Sequence, residues 1–328
     1  MTSPAMKAFL LAAGLGRRFA PVTGQIPKAI FPYLNVPIAT EHLRLLRQAG
    51  FLEAGINLHH LAQEVRTQLR DGAADLPQLH FFPEEKILGT AGALRNAAQW
   101  LAGDDFLVVN ADAAIEPDFG KLLDRHRQTR RAVTLLLVEN RDPDRYTPLE
   151  TEGDRVTGFG GKVVRPLLYT GVCALSGRLL ARLPAGESSL VDDLWRPLLA
   201  EGREEIGWVF HEGPFADLGR PRDFLRASLE ALDRAGPFPA GSGDFDAAGR
   251  VLSLTRGIAA ARSILGRIAA GNGIRIRDSA IWDGVVIGPG AELRGCLAAG
   301  GRITAGARFE DVLLWPGNDG AAAAHPLD

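Results

Sequence analysis

The sequence predicts an α/β protein, with a doubly wound, mostly parallel, Rossmann-like sheet followed by a short β-helix-like C-terminal domain. Three observations favour this fold class. Short apolar stretches alternate with amphipathic stretches as far as about residue 235. A stretch rich in proline, glycine and serine follows at residues 236–243. Beyond it, aliphatic residues recur every six positions with glycines between them.

Length and composition limit the class of protein. A chain of 328 residues is too long for one compact core, so we expect a first domain at 1–235, a linker at 236–250 and a second domain at 251–328. Hydrophobic residues make up 46% and the formal net charge is −2, which argues against nucleic acid or an anionic membrane as the main partner. No signal peptide or membrane-length apolar run is evident, so we expect a cytoplasmic protein.

The elements of the first domain follow the change of hydrophobic period along the chain. Short apolar runs predict strands at residues 7–12, 54–58, 79–82, 105–110, 132–138, 167–175, 206–211 and 215–218, with shorter β segments within 146–159. Apolar residues at helical spacing predict helices at residues 39–49, 61–69, 91–101, 117–129, 178–183, 189–201 and 222–234. Gly50 supplies a helix stop, and Pro117 lies near a first turn.

Two patterns occur in the second domain. The first is helical spacing, which predicts a helix that ends before Gly271 and carries Leu254, Ile258, Ala261, Leu265 and Ile268. The second is a six-residue period of aliphatic residues, which predicts the coils of a parallel β-helix. It includes Ile281, Ile287 and Leu293. A plain β-rich tail is the alternative interpretation.

The stretch with the most informative chemistry is the one that begins the chain. The strand at 7–12 runs into a turn whose glycines leave backbone amides free to cup anionic oxygens, and its candidate nucleotide-binding residues are Leu11, Ala12, Gly14 and Gly16. Arg18 and Lys28 follow as cations. Strand, glycine turn and cations together indicate a polyphosphate site.

Other interpretations of this stretch remain. No Gly-Lys-Ser/Thr ending is present, which excludes a P-loop. Phe19 stands where the dinucleotide fingerprint needs its third glycine, which disfavours a dinucleotide-dependent oxidoreductase. A turn with solvated arginines is the structural alternative.

The run LAAGLGRR, followed by PKAIFPYLNVPI, resembles the signature of the sugar-1-phosphate nucleotidyltransferases. The resemblance implies an enzyme that transfers a nucleotidyl group from a nucleoside triphosphate to a sugar 1-phosphate and releases pyrophosphate, with Mg²⁺ as cofactor. It makes Arg18 and Lys28 the catalytic cations. It also implies a left-handed β-helix in the second domain, a short stack whose open end another subunit could cover in a homo-oligomer.

The resemblance also supplies the metal ligands. Asp112 follows the apolar strand at 105–110, and the carboxyl end of such a strand is where open α/β sheets bind ligands. Asp217, in FADLGRPRDF, resembles a second motif of the family. Two carboxylates suffice for magnesium, which keeps phosphate oxygens and water as its other ligands.

Two further loops complete the predicted site. The motif GTAG resembles the base-binding loop of mannose-1-phosphate guanylyltransferases, so Gly89 and Thr90 are expected beside the nucleobase, with Thr90 also a candidate helix N-cap. On the sugar side, the resemblance points to Lys162, Thr170 and Gly171.

The chain departs from the family pattern at four positions. They are Arg17 for Thr or Ser, Ala111 for Gly, Gly161 for Glu, and Arg220 for Thr. Gly161 removes the carboxylate that reads sugar hydroxyls in the family. Two alternatives therefore stay open: an enzyme for another base or sugar, such as UTP or dTTP, and a catalytically impaired regulatory or ligand-sensing homologue.

Overall fold

The computed structural model describes residues 6–70, 76–161, 163, 165–202, 205–235 and 258–328. These residues form two compact units, and neither is one continuous stretch of chain. The first unit takes its residues from Met1–Gly14 and Ala39–Phe215. The second takes its residues from Leu15–Ile38 and Ala216–Asp328.

The regular elements of the described residues are numbered in chain order. The α-helices are α1 (Ile38–Gln48), α2 (Ala62–Arg70), α3 (Gly89–Asn96), α4 (Ala98–Leu101), α5 (Phe119–Thr129), α6 (Arg196–Ala200) and α7 (Pro221–Ala235). The strands up to residue 217 are β1 (Lys7–Leu11), β2 (Pro32–Tyr33), β3 (Val36–Pro37), β4 (Glu53–Leu58), β5 (Gln78–Pro83), β6 (Phe106–Asn110), β7 (Ala113–Ile115), β8 (Val133–Glu139), β9 (Leu149–Glu152), β10 (Arg155–Phe159), β11 (Leu167–Leu175), β12 (Ile206–Phe210) and β13 (Phe215–Asp217). Shorter 3₁₀ and π turns lie at Arg17–Phe19, Val22–Gly24, Lys28–Ile30, Gly177–Arg182 and Val191–Trp195.

The first unit is built on a nine-stranded sheet in the order β5-β4-β1-β6-β11-β8-β12-β10-β9. Strands β5, β4, β1 and β6 are parallel to one another, and β12 is parallel to β8. Strand β11 is antiparallel to both of its neighbours, β6 and β8, so those two strands share one direction. The predicted α/β sheet is confirmed, with the correction that an antiparallel strand lies at its centre. Because β11 is buried along most of its length, it can occupy that interior place.

The core of the first unit lies on this sheet. Buried side chains from several strands and helices pack into one cluster, and its members include Phe9, Leu94, Val108, Leu135, Cys173 and Trp195. Strands β1 and β6 are apolar throughout their buried residues because both of their faces are covered. The helix predicted at 91–101 is divided into α3 and α4 by Ala97, whose backbone is not helical.

The strands of the second unit past residue 257 stack in three parallel sheets. They are β14 (Ile258–Ala261), β15 (Ile264–Leu265), β16 (Ala269–Ala270), β17 (Ile274–Arg277), β18 (Ala280–Ile281), β19 (Val286–Ile287), β20 (Glu292–Arg294), β21 (Leu297–Ala298), β22 (Arg302–Ile303), β23 (Arg308–Glu310), β24 (Val312–Pro316) and β25 (Ala322–Pro326). The three sheets have the orders β14-β17-β20-β23, β15-β18-β21-β24-β25 and β16-β19-β22. The final strand β25 alone is antiparallel to its neighbour. The chain therefore visits the three sheets in turn, an arrangement consistent with a β-helix.

The six-residue period is explained by these sheets. Ile281, Ile287 and Leu293 lie in β18, β19 and β20, each in a different sheet, and all three are buried. The period therefore marks one inward side chain per sheet.

The predicted helix at the start of this domain is wrong for its described residues, 258–268. They form β14, β15 and the approach to β16. Spacings of three, four and seven fit the turns of a helix. In the coil, Ile258 and Leu265, seven positions apart, are buried, whereas Ala261 between them is exposed. Leu254 and the predicted linker at 236–250 lie outside the described residues.

Residues 15–38 pack within the second unit through aromatic side chains. Phe19, Phe31, Phe224 and Trp282 form an aromatic cluster, with 4.9 Å between the ring centroids of Phe31 and Trp282 and 4.9 Å between those of Phe19 and Phe31. All four are buried. The predicted division at a linker placed residues 15–38 with the first domain, whereas these contacts group them with α7 and with Trp282, the residue that follows β18. The physical reason is the apolar area that the four rings bury together.

A short hairpin adds a polar contact to this packing. Strands β2 and β3 are joined by Leu34 and Asn35, both with positive φ, a conformation that asparagine tolerates well. The Asn35 side chain donates a hydrogen bond from Nδ2 to the Leu265 carbonyl, at 2.8 Å. The hairpin is thereby fixed to β15. In the described part of the chain, no helix is long and apolar enough to cross a membrane.

Candidate active site

The glycines of the opening turn have different structural roles. A Cβ added at Gly14 would meet no described atom within 4 Å, so its surroundings are open. At Gly16, φ is +57°, and an added Cβ would lie 2.8 Å from Thr23 Cγ2 and 3.3 Å from Lys28 Cβ. Gly16 is therefore required by the fold, and Lys28 packs directly on it. Lys28 itself is buried, with 7% of its surface exposed.

Arg18 and Asp217 lie against the same glycine. The Gly219 amide donates to Asp217 Oδ1 at 2.9 Å. A Cβ added at Gly219 would lie 3.0 Å from Arg18 Nη1 and 2.9 Å from Asp217 Oδ1. The second unit thus brings together one predicted phosphate cation and one predicted metal ligand, which are far apart in sequence.

Asp112 is exposed at the end of the buried strand β6, as predicted, and its loop is supported by a histidine that sequence reasoning passed over. The His42 ring donates from Nε2 to the Ala113 carbonyl at 2.9 Å. Burial lowers the pKa of His42 to about 4, partly offset by that hydrogen bond and by the charge of Asp112. The ring is therefore neutral near pH 7, with its proton on Nε2. Its position on α1 carried no signal that separated it from a surface histidine.

The neutral His42 predicts a loss of stability in acid. The unfolded chain binds a proton at His42 below its ordinary pKa of 6.5, whereas the folded chain does so only near pH 4. The free energy of unfolding should therefore be highest above pH 6.5 and fall as the pH drops from 6.5 toward 4, by at most about 3 kcal/mol. Urea denaturation with EDTA, at about pH 7 and about pH 5, measures this fall.

The variant His42→Gln provides the comparison. It keeps a donor for the Ala113 carbonyl but has no group that titrates, so its stability should change less between the two pH values than that of the wild-type protein. An equal change in both proteins would mean that another group causes the acid sensitivity.

The predicted base-binding loop is shaped by a neighbouring stretch of its own chain. A Cβ added at Gly89 would lie 2.4 Å from the Ser188 carbonyl oxygen, and one added at Gly92 would lie 2.3 Å from that of Gly186. The Thr90 hydroxyl accepts a hydrogen bond from the Leu190 amide at 2.8 Å. Close packing of residues 186–190 thus requires both glycines. The predicted N-cap role of Thr90 is wrong, since α3 begins at Gly89 without a side-chain cap.

The predicted sugar-side residues are also held by the fold. The Thr170 hydroxyl donates to the Leu136 carbonyl at 2.9 Å, in the irregular part of the pairing between β11 and β8. Gly171 has φ of +86°, and an added Cβ would lie 2.8 Å from Asn110 Cβ. These contacts give Thr170 and Gly171 a structural role at the centre of the sheet. Lys162 lies outside the described residues.

The absence of a side chain at Gly161 has a local cause. A Cβ added there would lie 2.6 Å from Glu150 Oε1, and one added at Gly158 would lie 3.0 Å from the same atom. Glu150 in β9 therefore places a carboxylate where a side chain at position 161 would begin. The departure from the family pattern does not leave this region without a carboxylate.

The donor set is suited to magnesium rather than to a metal held by protein alone. Within the described ranges, no group of three or more His, Cys, Asp or Glu residues could hold a metal ion. Magnesium needs only one or two carboxylates when phosphate oxygens and water complete its ligands. Asp112 and Asp217 fit that requirement chemically. Cys173 does not compete as a ligand or nucleophile, because burial raises the pKa of its thiol to about 12.

Known proteins resemble this chain over most of its length. The family described as nucleotidyl transferase matches residues 7–234. The mannose-1-phosphate guanylyltransferase of Mycobacterium tuberculosis is 30% identical over 303 residues, which cover 90% of this chain and 84% of that protein. The N-acetylmuramate α-1-phosphate uridylyltransferase of Neisseria meningitidis is 34% identical over 196 residues, 56% of this chain and 85% of that protein.

A solved structure shares the fold. The crystal structure of HddC from Yersinia pseudotuberculosis superposes with a TM-score of 0.60 at 24% identity, and the match covers 69% of this chain and 99% of that one. The family match confirms the resemblance that the opening motif predicted and displaces the dinucleotide-dependent oxidoreductase. The chain belongs to the nucleotidyl transferase family.

Proposed function

We propose that this protein transfers a nucleotidyl group from a nucleoside triphosphate to a sugar 1-phosphate, giving a nucleoside-diphosphate sugar and pyrophosphate. The observation that carries the proposal is the opening turn, where Gly14, whose surroundings are open, is followed along the chain by Arg18 and the packed Lys28. Mannose 1-phosphate and GTP are the favoured pair, because the Mycobacterium tuberculosis relative is named for that reaction and the GTAG motif resembles the same enzymes.

In the proposed reaction, an oxygen of the sugar phosphate attacks the α-phosphorus of the triphosphate. A new P–O bond forms there, the bond from the α-phosphorus to the bridging oxygen breaks, and its electron pair leaves with pyrophosphate. In this proposal the backbone amides of Gly14 and Gly16 bind phosphate oxygens. Arg18 and Lys28 stabilise the charge that develops during transfer.

Magnesium is the proposed cofactor, with Asp112 and Asp217 as its protein ligands. When bound, it would supply positive charge to the phosphate oxygens. The carboxylates are the contribution of this chain: Asp112 follows β6, and Asp217 is the last residue of β13. The Gly219 amide donates to Asp217 and orients its carboxylate.

The C-terminal sheets support two further proposals. We infer that residues 258–328 form a short left-handed β-helix, and that its last coil is a contact of a homo-oligomer in the cytoplasm. Light scattering of the full-length protein tests the oligomer, and a monomeric mass would exclude it.

A substrate panel tests the proposed function directly. Purified protein with magnesium is given GTP, UTP or dTTP together with mannose, glucose or N-acetylmuramate 1-phosphate, and pyrophosphate release is measured. We expect the highest rate with GTP and mannose 1-phosphate. A higher rate with another pair would reassign the substrates. Binding of nucleotide without turnover of any pair would favour the regulatory homologue. The absence of both nucleotide binding and turnover would refute the proposal.

Neutralising the phosphate cations should slow the reaction. Arg18→Gln or Lys28→Gln is expected to lower kcat by about 10²–10³-fold, as when other charge-stabilising donors are lost. The thermal midpoint of the Arg18 variant should stay close to the wild-type value, because Arg18 is exposed. Lys28 is buried, so its variant should also lose stability.

The matched control is Arg127→Gln, which removes an exposed arginine from α5 and should leave kcat unchanged. An Arg18 variant that melts early yet keeps its kcat would place Arg18 in a structural ion pair.

A further inference from the structure

Two buried polar side chains join the opening turn to the base-binding loop of the first unit. The Ala12 amide donates to Asn57 Oδ1 at 2.7 Å. Asn57 Nδ2 donates to Glu84 Oε1 at 2.8 Å, and the Leu88 amide donates to Glu84 Oε2 at 2.9 Å. The four groups form one continuous chain of hydrogen bonds from Ala12 to Leu88.

Both side chains are far more buried than is usual for their type. Asn57 is 3% exposed and Glu84 is 6% exposed. Burial of a carboxylate is unfavourable unless hydrogen bonds compensate for the lost water, and Glu84 receives one such bond on each oxygen. A residue selected only to fill space here would be apolar. We therefore attribute the buried Asn57–Glu84 pair to the two backbone amides that it binds, those of Ala12 and Leu88.

The main chain of Glu84 is fixed independently of its carboxylate. Its amide donates to the Leu58 carbonyl at 2.7 Å, and its carbonyl accepts a hydrogen bond from His59 Nδ1 at 2.9 Å. A change confined to the Glu84 side chain should therefore release Asn57 and Leu88 without moving residue 84 itself.

The two ends of this series of hydrogen bonds, Ala12 and Leu88, lie in the two segments assigned to the nucleotide. Ala12 begins the opening turn directly after β1, and Leu88 immediately precedes Gly89 at the start of α3. We propose that Asn57 and Glu84 are positioning residues that fix the spacing of these two segments, so that one nucleoside triphosphate can contact both. The inference rests on the proposed function, because it takes a nucleotide as the ligand of these segments.

The direction of each hydrogen bond supplies a stringent test. In Glu84→Gln, the introduced amide has only one acceptor oxygen, so its NH₂ group faces either Asn57 Nδ2 or the Leu88 amide, donor against donor. In Asn57→Asp, the introduced carboxylate faces the carboxylate of Glu84. The double variant restores every bond: the introduced aspartate accepts from Ala12 and from the introduced glutamine, whose oxygen accepts from Leu88.

The experiment measures nucleotide binding, kinetics and amide protection in the full-length chain. GTP affinity is determined by calorimetry, kcat and KM by pyrophosphate release, and protection of the Ala12 and Leu88 amides by hydrogen exchange without ligand. Each single variant should weaken GTP binding and raise its KM about tenfold, with both amides less protected. In Glu84→Gln a buried donor faces another donor, and in Asn57→Asp two buried carboxylates face each other with no donor between them. The double variant should recover to within about threefold of wild type. Glu85→Gln, at the exposed neighbouring residue, should match wild type.

The outcomes separate this inference from the proposed function. Single variants that lose amide protection but keep wild-type GTP affinity and KM would overturn the positioning role. A double variant whose GTP affinity, KM and amide protection are no closer to wild type than those of the single variants would overturn the hydrogen-bonded connection itself. Unchanged amide protection in the single variants would do the same. If the wild-type protein binds none of GTP, UTP and dTTP, the proposed function fails and the nucleotide role with it, while hydrogen exchange still decides whether the pair joins the two segments.

Discussion

The variant Asp112→Asn is expected to lower turnover by about 10³-fold, since charge stabilisation by a bound metal is worth several kcal/mol at the transition state. The substitution removes one negative charge and keeps the volume of the side chain, so the proposed magnesium ligand is weakened while the fold is retained. Asp112 is exposed, so its substitution should change the free energy of unfolding little. Pyrophosphate release measured over a magnesium titration reports both kcat and the magnesium concentration needed for half-maximal rate.

Asp104→Asn is the matched control, because Asp104 is also an exposed aspartate and lies before the same strand, β6. It should keep the wild-type rate and magnesium dependence. Ordinary turnover of the Asp112 variant at limiting magnesium would remove Asp112 from the metal site and leave Asp217 as the sole proposed ligand.

The second large effect is expected at Trp282. The variant Trp282→Ala should lower the free energy of unfolding by about 3–5 kcal/mol, the usual result of truncating a buried tryptophan. Trp282 is 3% exposed, and its ring packs on Phe31 and Phe224. Phe31 follows the turn that carries Lys28, and the Phe31 amide donates to the Lys28 carbonyl at 3.0 Å. Loss of the ring should therefore also lower kcat, measured well below the unfolding temperature.

Leu293→Ala separates the two effects. Leu293 is buried among the coils in β20, outside the aromatic cluster, so its truncation should cost about 2–5 kcal/mol of stability with kcat unchanged. If the Trp282 variant loses stability but keeps its kcat, the aromatic cluster is a packing feature only. A fall in kcat confined to Trp282→Ala would mean that packing of Trp282 on Phe31 supports the turn that carries Lys28.

Much of the fold follows from local patterns. The apolar runs that predicted β1, β6 and β8 needed no knowledge of neighbours, because a strand covered on both faces is apolar at every position. The glycine turn and its two cations were equally evident from residue type and spacing. The six-residue period located the inward side chains of three sheets before their pairing was known.

Other features had no local signature. His42, Asn57 and Glu84 are polar residues in amphipathic or mixed segments. The sequence alone does not distinguish a buried polar residue there from an exposed one. Gly89 was expected beside a nucleobase, and only the structure showed that the Ser188 carbonyl packs against Gly89 and the Gly186 carbonyl against Gly92. The spacing within 258–268 fitted a helix, and only the pairing with β17 and β18 showed a coil there.

The sequence by itself determined the family, the strand-and-turn frame of the opening motif and the chemical types available to the site, because these depend on residue identity and short-range period. Only the tertiary structure decided that β11 runs antiparallel at the centre of the sheet, and that residues 15–38 pack with α7 and the C-terminal coils. It alone paired Asn57 with Glu84 between two loops. These features arise from contacts between residues tens to hundreds of positions apart, such as Phe31 with Trp282, and complementarity of shape and hydrogen bonding at that range leaves no period in the chain.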